Sequence, residues 1–245
     1  MITTADSHLV KQLAVDDLTA IVELQESVTA DLPAGFIRSK TESELRAYLD
    51  GTLGIAYGIF EGTTLVAMSL LRISNGNHPN PNRGLPFPLV PEEDWPLHTC
   101  FLENAMVVPA ARGRGYQRTL LDVRFSHAAA AKMKWICAGV HLRNSVSWSN
   151  LLVRGMAIVG IRFDSGYPLI GLLRSSDALA LSSDSSDQVS VRAHDHVQHQ
   201  AASQDGYVGV RLASDGAVIY QRLSSQGDRG MNRRSASAPA MRAST

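Results

Sequence analysis

Apolar residues recur along this chain with two different periods, and the changes between them mark out its elements. Residues 1–8 are polar and are expected to be disordered, and residues 10–13 read as a short strand. Asp16 or Asp17 caps a helix whose Leu18, Ile21, Val22 and Leu24 share one face, and Leu32-Pro33-Ala34-Gly35 breaks it. Thr41, with Glu44 three residues on, makes a capping box; it opens a second helix that runs through Leu49 and stops at Gly51. Residues 55–60 and 64–73 predict a hairpin around the turn Glu61-Gly62-Thr63. Then follow a strand over 101–108, a helix over 118–133 that buries Leu120, Leu121, Val123 and Phe125, and a buried strand over 135–140. A helix over 145–154 ends at Gly155, and two strand-like runs, 157–163 and 169–173, flank Gly166-Tyr167-Pro168. This order predicts an α/β fold, a sheet with helices on both faces.

Three stretches fall outside that pattern. Residues 74–96 turn to Asn, Pro, Gly and acids, and a loop of that length is usually functional or disordered. Residues 175–188 read as a Ser- and Asp-rich linker. Beyond it, residues 189–223 hold short strands and one helix, a small α+β extension too slight to stand alone and expected to dock on the main domain. That extension either covers the sheet edge or builds a homodimer. Residues 224–245, rich in Ser, Ala, Gly and Arg, are expected to be a disordered tail.

Composition removes some functions. Lys+Arg 23 balance Asp+Glu 23, so nothing global argues for a nucleic-acid or membrane partner. The sparse Arg229, Arg233 and Arg234 read as part of a solvated tail. Cys100 and Cys137 sit in apolar, strand-like stretches and read as reduced core thiols. With no export leader and no long apolar run in view, a cytoplasmic protein is expected.

The chemistry concentrates at Val107-Val108-Pro109-Ala110-Ala111-Arg112-Gly113-Arg114-Gly115-Tyr116-Gln117. A strand feeding a glycine loop and then a helix aims backbone N–H groups and a helix dipole at one spot, which suits a phosphate. Arg112 and Arg114 add two positive charges beside those donors. A nucleoside-triphosphate loop would need Lys and then Ser or Thr after the second glycine, where this chain has Tyr116-Gln117; a dinucleotide loop would need Gly or Ala at Arg118. Taken alone, Gly113-x-Gly115 also fits a glycine-rich turn.

Its surroundings go further. Val107-x-Pro109-x-x-Arg112-Gly113-Arg114-Gly115 resembles the acyl-CoA loop of the Gcn5-related N-acetyltransferase (GNAT) superfamily. His141-x-x-Asn144-x-x-Ser147, followed by Leu151 and Gly155-Met156, is similar to that family's second motif. The chain departs from the family at Gln117, where Gly or Ala is usual, at Met156 for an aromatic, and at Leu151 for a tyrosine. The resemblance spans residues 9–174 and implies the GNAT fold, with a mixed central sheet. It implies an enzyme that moves an acetyl group from acetyl-CoA to an amine by direct attack in a ternary complex, with no metal. Backbone N–H groups of Gly113, Arg114, Gly115, Tyr116 and Gln117 would hold the pyrophosphate, supported by Arg112 and Arg114. The segment Met106, Val107 and Val108 would splay from its neighbour and pair with the pantetheine arm. Asn144 would reach that arm from the far side, and Ser147 would either do likewise or lie near the thioester sulfur.

Glu103 and Ser147 are the candidates for catalysis. Glu103 precedes Val107 by four residues, so strand alternation puts both on one face. Glu103-Asn104 resembles a Glu-Asp pair in polyamine-type members, where the glutamate acts as a base through water; the alternative is a rim glutamate without a part in the chemistry. With Leu151 at the tyrosine position, Ser147, Ser149, Tyr167 or a water is left to protonate the thiolate, which is in any case a good leaving group. The acceptor, a small-molecule or peptide amine, would lie among residues 30–40, the 74–98 loop and Glu103. Glu92, Glu93 and Asp94 suit a cationic amine or a solvated acidic loop, and Trp95 lines the pocket or caps it. The cluster His194, Asp195, His196 and His199 reads as a solvated helix start in preference to a metal site. The rival functions are a non-catalytic acyl-CoA-binding or regulatory module and an acyltransferase with another acyl donor.

Overall fold

The computed structural model describes residues 10–33, 35–75, 87–164, 167–182 and 184–224. In chain order the elements are β1 (Val10–Gln12), α1 (Leu18–Ala30), α2 (Glu42–Leu49), β2 (Gly54–Glu61), β3 (Thr64–Ile73), β4 (Thr99–Val107), α3 (Tyr116–Ala130) and β5 (Trp135–His141). They continue with α4 (Ser145–Val153), β6 (Ala157–Asp164), β7 (Tyr167–Ser175), β8 (Gln188–Val191), α5 (His196–Gln204), β9 (Tyr207–Leu212) and β10 (Val218–Arg222). The described strands form one sheet in the order β1-β2-β3-β4-β5-β7-β6-β9-β10-β8. Its strand pairs are antiparallel apart from the parallel pair β4–β5 at its middle. The sheet is therefore mixed, as the resemblance implied.

Helices cover both faces. On one, Ile21, Leu24 and Val28 of α1 and Leu45 and Tyr48 of α2 pack on Met68, Leu70 and Met106. On the other, α3 places Leu120 against Ile59 and Ala67, and Leu121 joins Trp148 and Leu152 of α4 over Cys100, Ile136 and Ile158. The capping box forms as expected: Glu44 N–H donates to Thr41 Oγ1 at 3.2 Å, and Thr41 N–H to Glu44 Oε2 at 2.9 Å.

The C-terminal residues go further than docking. β9 pairs with β6 at Ile158↔Gly209, and Val191, Ala202, Val218 and Tyr220 belong to the same core as Trp148, Ile158 and Ile170. Gly209 permits this approach, since a Cβ there would lie 2.9 Å from Val218 and 3.1 Å from Ile158 side-chain atoms. Within the segment expected as a linker, residues 180–182 are tied to the C-terminal end of β10. Ser182 N–H donates to Arg222 O and Ser224 N–H to Ala180 O, both at 2.9 Å. Leu179 and Leu181 pack on the face formed by Phe101, Cys137 and Val159, where no described α-helix lies. Two apolar residues at a spacing of two outweigh the surrounding serines, because both can face the sheet at once.

The described part of the 74–98 loop covers the same face. Trp95 stacks on Phe101 with ring centroids 5.9 Å apart and planes 9° from parallel. Asp94 accepts from Trp135 Nε1 at 2.7 Å and pairs with Lys134 at 3.0 Å. Trp95 is thus a cap on the core, and Asp94 is committed to holding that cap in place. Residues 76–86 of the loop lie outside the described residues. Among the described residues no helix is long and apolar enough to cross a membrane.

Candidate functional site

The site begins where β4 changes direction. Ser69 pairs with Ala105 and Leu70 with Glu103, so Asn104 is an extra residue in β4, a β-bulge with φ of 26°. Asn104 Nδ2 donates to Arg38 O at 2.9 Å, which anchors the bulge to the segment before α2. The bulge also resets strand phase. Met106 falls on the α1/α2 face and Val107 on the α3 face, while Glu103 reaches Tyr48 on the α1/α2 side. Glu103 and Val107 therefore do not share a face; one inserted residue shifts a period-two pattern by one.

Beyond the bulge β4 leaves its neighbour. The β4–β5 ladder runs from Thr99↔Trp135 to Leu102↔Ala138 and ends there, so the β5 side of residues 103–107 has no described strand partner. Into this opening runs a cavity of about 720 Å3. Glu103, Gln117, Asn144 and Ser147, four of the expected site residues, line it together.

Each is held by identifiable contacts. Glu103 Oε2 accepts from Tyr48 OH at 2.9 Å and forms an ion pair with Lys40 Nζ. The side chains of Lys40 and Glu103 are 4% and 14% exposed, so this pair is largely screened from water. Gln25 fixes Lys40 by a two-way clasp: its Oε1 accepts from Lys40 N–H at 2.8 Å and its Nε2 donates to Lys40 O at 2.9 Å. Burial, and then the Glu103 carboxylate, push the Tyr48 phenol far above its usual range, so it stays a proton-bearing donor. On the opposite wall Asn144 caps α4, its Oδ1 accepting from Ser147 N–H at 3.2 Å. Gln117 bridges α3 to α4, with Nε2 donating to Ser147 Oγ at 3.4 Å and Oε1 accepting from Asn150 Nδ2 at 2.9 Å. The departure at Gln117 thus has a structural role, and Asn150 is its partner. Leu151, in place of a tyrosine, is 6% exposed and gives the cavity an apolar wall. His141 packs its ring 5.0 Å from Phe36, and burial, then Arg143, lowers its pKa.

The glycine loop lies ahead of α3. Gly113 and Gly115 have φ of 79° and 81°, and a Cβ on either would meet open space. Glycine is needed there for backbone conformation, and the space beside it is open to a ligand. Helical bonding starts with Arg118 and Thr119 N–H donating to Gly115 O, so the preceding N–H groups of the first turn point off the helix end. The two arginines beside the loop each have a carboxylate partner. Arg112 pairs with Asp31 at 2.5 Å and Arg114 with Glu61 at 2.7 Å. These pairs are half exposed, a setting in which an ion pair contributes little and exchanges readily. Tyr116 buries its ring under β2 and β3 and donates its OH to Glu61 at 2.6 Å. Met106 is buried in the α1/α2 core, so from Met106 it is the backbone that is available to a ligand.

The histidine cluster is divided among separate tasks. Asp195 caps α5 by accepting from Gln198 N–H at 3.0 Å, His196 meets Phe163 edge-on, and buried His199 joins Tyr220 OH at 2.7 Å. Among the described residues no group of three or more His, Cys, Asp or Glu is placed to hold a metal ion.

Lys40, Tyr48, Gln25, Arg124 and Asn150 were not singled out by the sequence pattern. Two had a readable signal. Gln25 lies on the apolar stripe of α1, four residues after Ile21, and Asn150 follows Ser147 by three, on the same helix face.

No family model and no curated protein matches the chain. Solved structures do. The ribosomal-protein-S18-alanine N-acetyltransferase of Escherichia coli aligns over 70% of this chain and 95% of its own, with a TM-score of 0.53 at 13% identity. An acetyltransferase of the GNAT family from Streptococcus pneumoniae aligns over 69% and 99%, with a TM-score of 0.53 at 13% identity. The PaiA N-acetyltransferase of Thermoplasma acidophilum, solved in complex with coenzyme A, aligns over 67% and 98%, with a TM-score of 0.50 at 16% identity. Identities this low speak for architecture alone. The split parallel pair β4–β5, the bulge at Asn104 and the glycine loop ahead of α3 belong to a chain with the fold of the GNAT N-acetyltransferases.

Proposed function

We propose that the chain is an acyl-CoA-dependent N-acyltransferase with acetyl-CoA as donor and a small-molecule or peptide amine as acceptor. The observation that supports this most is the cavity in the split between β4 and β5, lined by a carboxylate on one side and by Gln117, Asn144 and Ser147 on the other. The N–H groups at the start of α3 take the pyrophosphate, with Arg112 and Arg114 exchanging Asp31 and Glu61 for it. The β5-facing side of residues 104–107, which has no described strand partner, receives the pantetheine amides, with Asn144 Nδ2 opposite. Glu103 offers Oε1, which has no partner among the described residues, to the acceptor ammonium and takes its proton directly or through water. The amine nitrogen then attacks the thioester carbonyl carbon, the C–N bond forms, the C–S bond breaks, and the second proton that the nitrogen sheds passes through water to the departing thiolate. Ser147, which lines the cavity, donates a hydrogen bond to the leaving sulfur, which needs no strong acid in a site where Leu151 supplies none. Holding both reactants in one cleft carries much of the rate. The unpaired, buried Cys100 and Cys137 fit a reducing cytoplasm.

Free-thiol release from acetyl-CoA, followed across a panel of amines, tests this reading. Amine-dependent release with an N-acetylated product supports it. Thermal stabilisation by CoA with no thiol released by any amine contradicts it and favours a non-catalytic acyl-CoA-binding module.

A further inference from the structure

Arg124 is a buried cation with no counter-ion among the described residues. It lies on the inner face of α3, with the residue 2% exposed. Its Nε donates to Leu120 O at 3.3 Å, and its Nη1 to Leu70 O at 3.4 Å and Glu103 O at 3.3 Å. All three acceptors are backbone carbonyls, which satisfy donors without neutralising charge. The Glu103 carboxylate is held on the other side of the sheet by Lys40 and Tyr48. The ionisable group nearest in influence is Cys100, whose thiol burial pushes up to about 12, so it is neutral at pH 7. Burial lowers the Arg124 guanidinium to about 10, so it remains charged.

Packing gives no reason for this charge. The side chain occupies a helix position between Leu120 and Leu121 on one side and Ala128 on the other, where an apolar residue would serve the core. An uncompensated buried cation is costly unless something anionic meets it. Its Nη2 has no partner among the described residues, and the side chain lines the cavity beside Gln117, Ala138 and Leu151. A phosphate of the donor does not fit this place. Arg124 lies eight residues along α3 from Tyr116, about 12 Å from the helix start that suits the pyrophosphate.

We propose that Arg124 recognises a substrate carboxylate, its Nη2 pairing with that group inside the β4–β5 cleft. The inference rests on the acyl-CoA reading and narrows its substrate class. The carboxylate belongs either to the acyl group, as in a dicarboxylic acyl thioester, or to an amino-acid acceptor. A planar guanidinium is suited to either.

Calorimetric titration of the full chain, wild type beside Arg124→Met and Arg124→Lys, tests this without requiring turnover. One arm compares succinyl-CoA with butyryl-CoA. The other, at saturating CoA, compares N-acetylated amino acids with the N-acetylated amines that lack their carboxylate. In one arm the wild type is expected to bind the carboxylate-bearing compound at least about tenfold more tightly. Arg124→Met should remove that preference and leave CoA affinity unchanged, with Arg124→Lys keeping part of it. CoA binding without a carboxylate preference in either arm, or a preference that survives Arg124→Met, overturns the proposal. Should Arg124→Met fail to bind CoA, Arg124→Lys decides: a preference reduced severalfold supports the proposal and an unchanged one overturns it. Failure of the wild type to bind any CoA compound would instead defeat the acyl-CoA reading, and this inference with it.

Discussion

Lys40 and Glu103 are separated by 63 residues in sequence and form an ion pair at the wall of the β4–β5 cavity, with Tyr48 donating to the same carboxylate oxygen. Gln25 holds the backbone of Lys40 on both sides, so the ammonium has little freedom to leave. The pair leaves one oxygen of Glu103 for a ligand and fixes where that oxygen points.

Removing either partner strands a buried charge, which costs about 3–5 kcal/mol when the remaining group stays ionised. Glu103→Gln and Lys40→Met are each expected to lower stability in chemical denaturation, and the double substitution should lose clearly less than their sum. Both single variants should also slow thiol release by at least about tenfold while CoA affinity stays within about threefold. Additive stabilities would show that the two residues do not interact, and an unchanged turnover in Glu103→Gln would remove that residue from the chemistry.

A second prediction concerns pH. His199 is buried against Tyr220, and burial lowers its pKa below the ordinary value of 6.5. As pH falls, the unfolded chain takes up the proton before the folded one does. Stability is therefore complete above about pH 6.5 and declines as pH falls below it toward the folded-state value. His127 and His141 are shifted in the same direction, also chiefly by burial, and add to the slope. Denaturation midpoints measured between pH 7.5 and 5.5 should fall, and His199→Gln should flatten the trend. An identical slope in that variant would show that His199 is not held neutral.

The sequence and the structure part company at particular residues. The glycine loop, the Thr41–Glu44 capping box and the β-α order were legible because turns, caps and helix periods are local properties. The bulge was not, since strand alternation carries no sign of an inserted residue; Asn104, of a type that tolerates positive φ, was the one hint. The Lys40–Glu103 pair depends on how α2 lies across the sheet, which no local pattern encodes. Arg124 sits inside a run of helix residues where an arginine ordinarily faces solvent, and its burial becomes visible only once α3 is laid on β3 and β4. In the 175–188 segment the serines masked Leu179 and Leu181, whose spacing of two was the structural signal.

The central claim is that the loop before α3 binds the phosphates of an acyl-CoA, and direct titration of CoA into wild type and Gly115→Val tests it most closely. Gly115 has φ of 81° and open space beside it, so valine there strains the loop and crowds the ligand without disturbing the core. Saturable binding to wild type, weakened at least about 100-fold in Gly115→Val with the fold retained, is the predicted result. No binding by wild type, or equal binding by both, would contradict it.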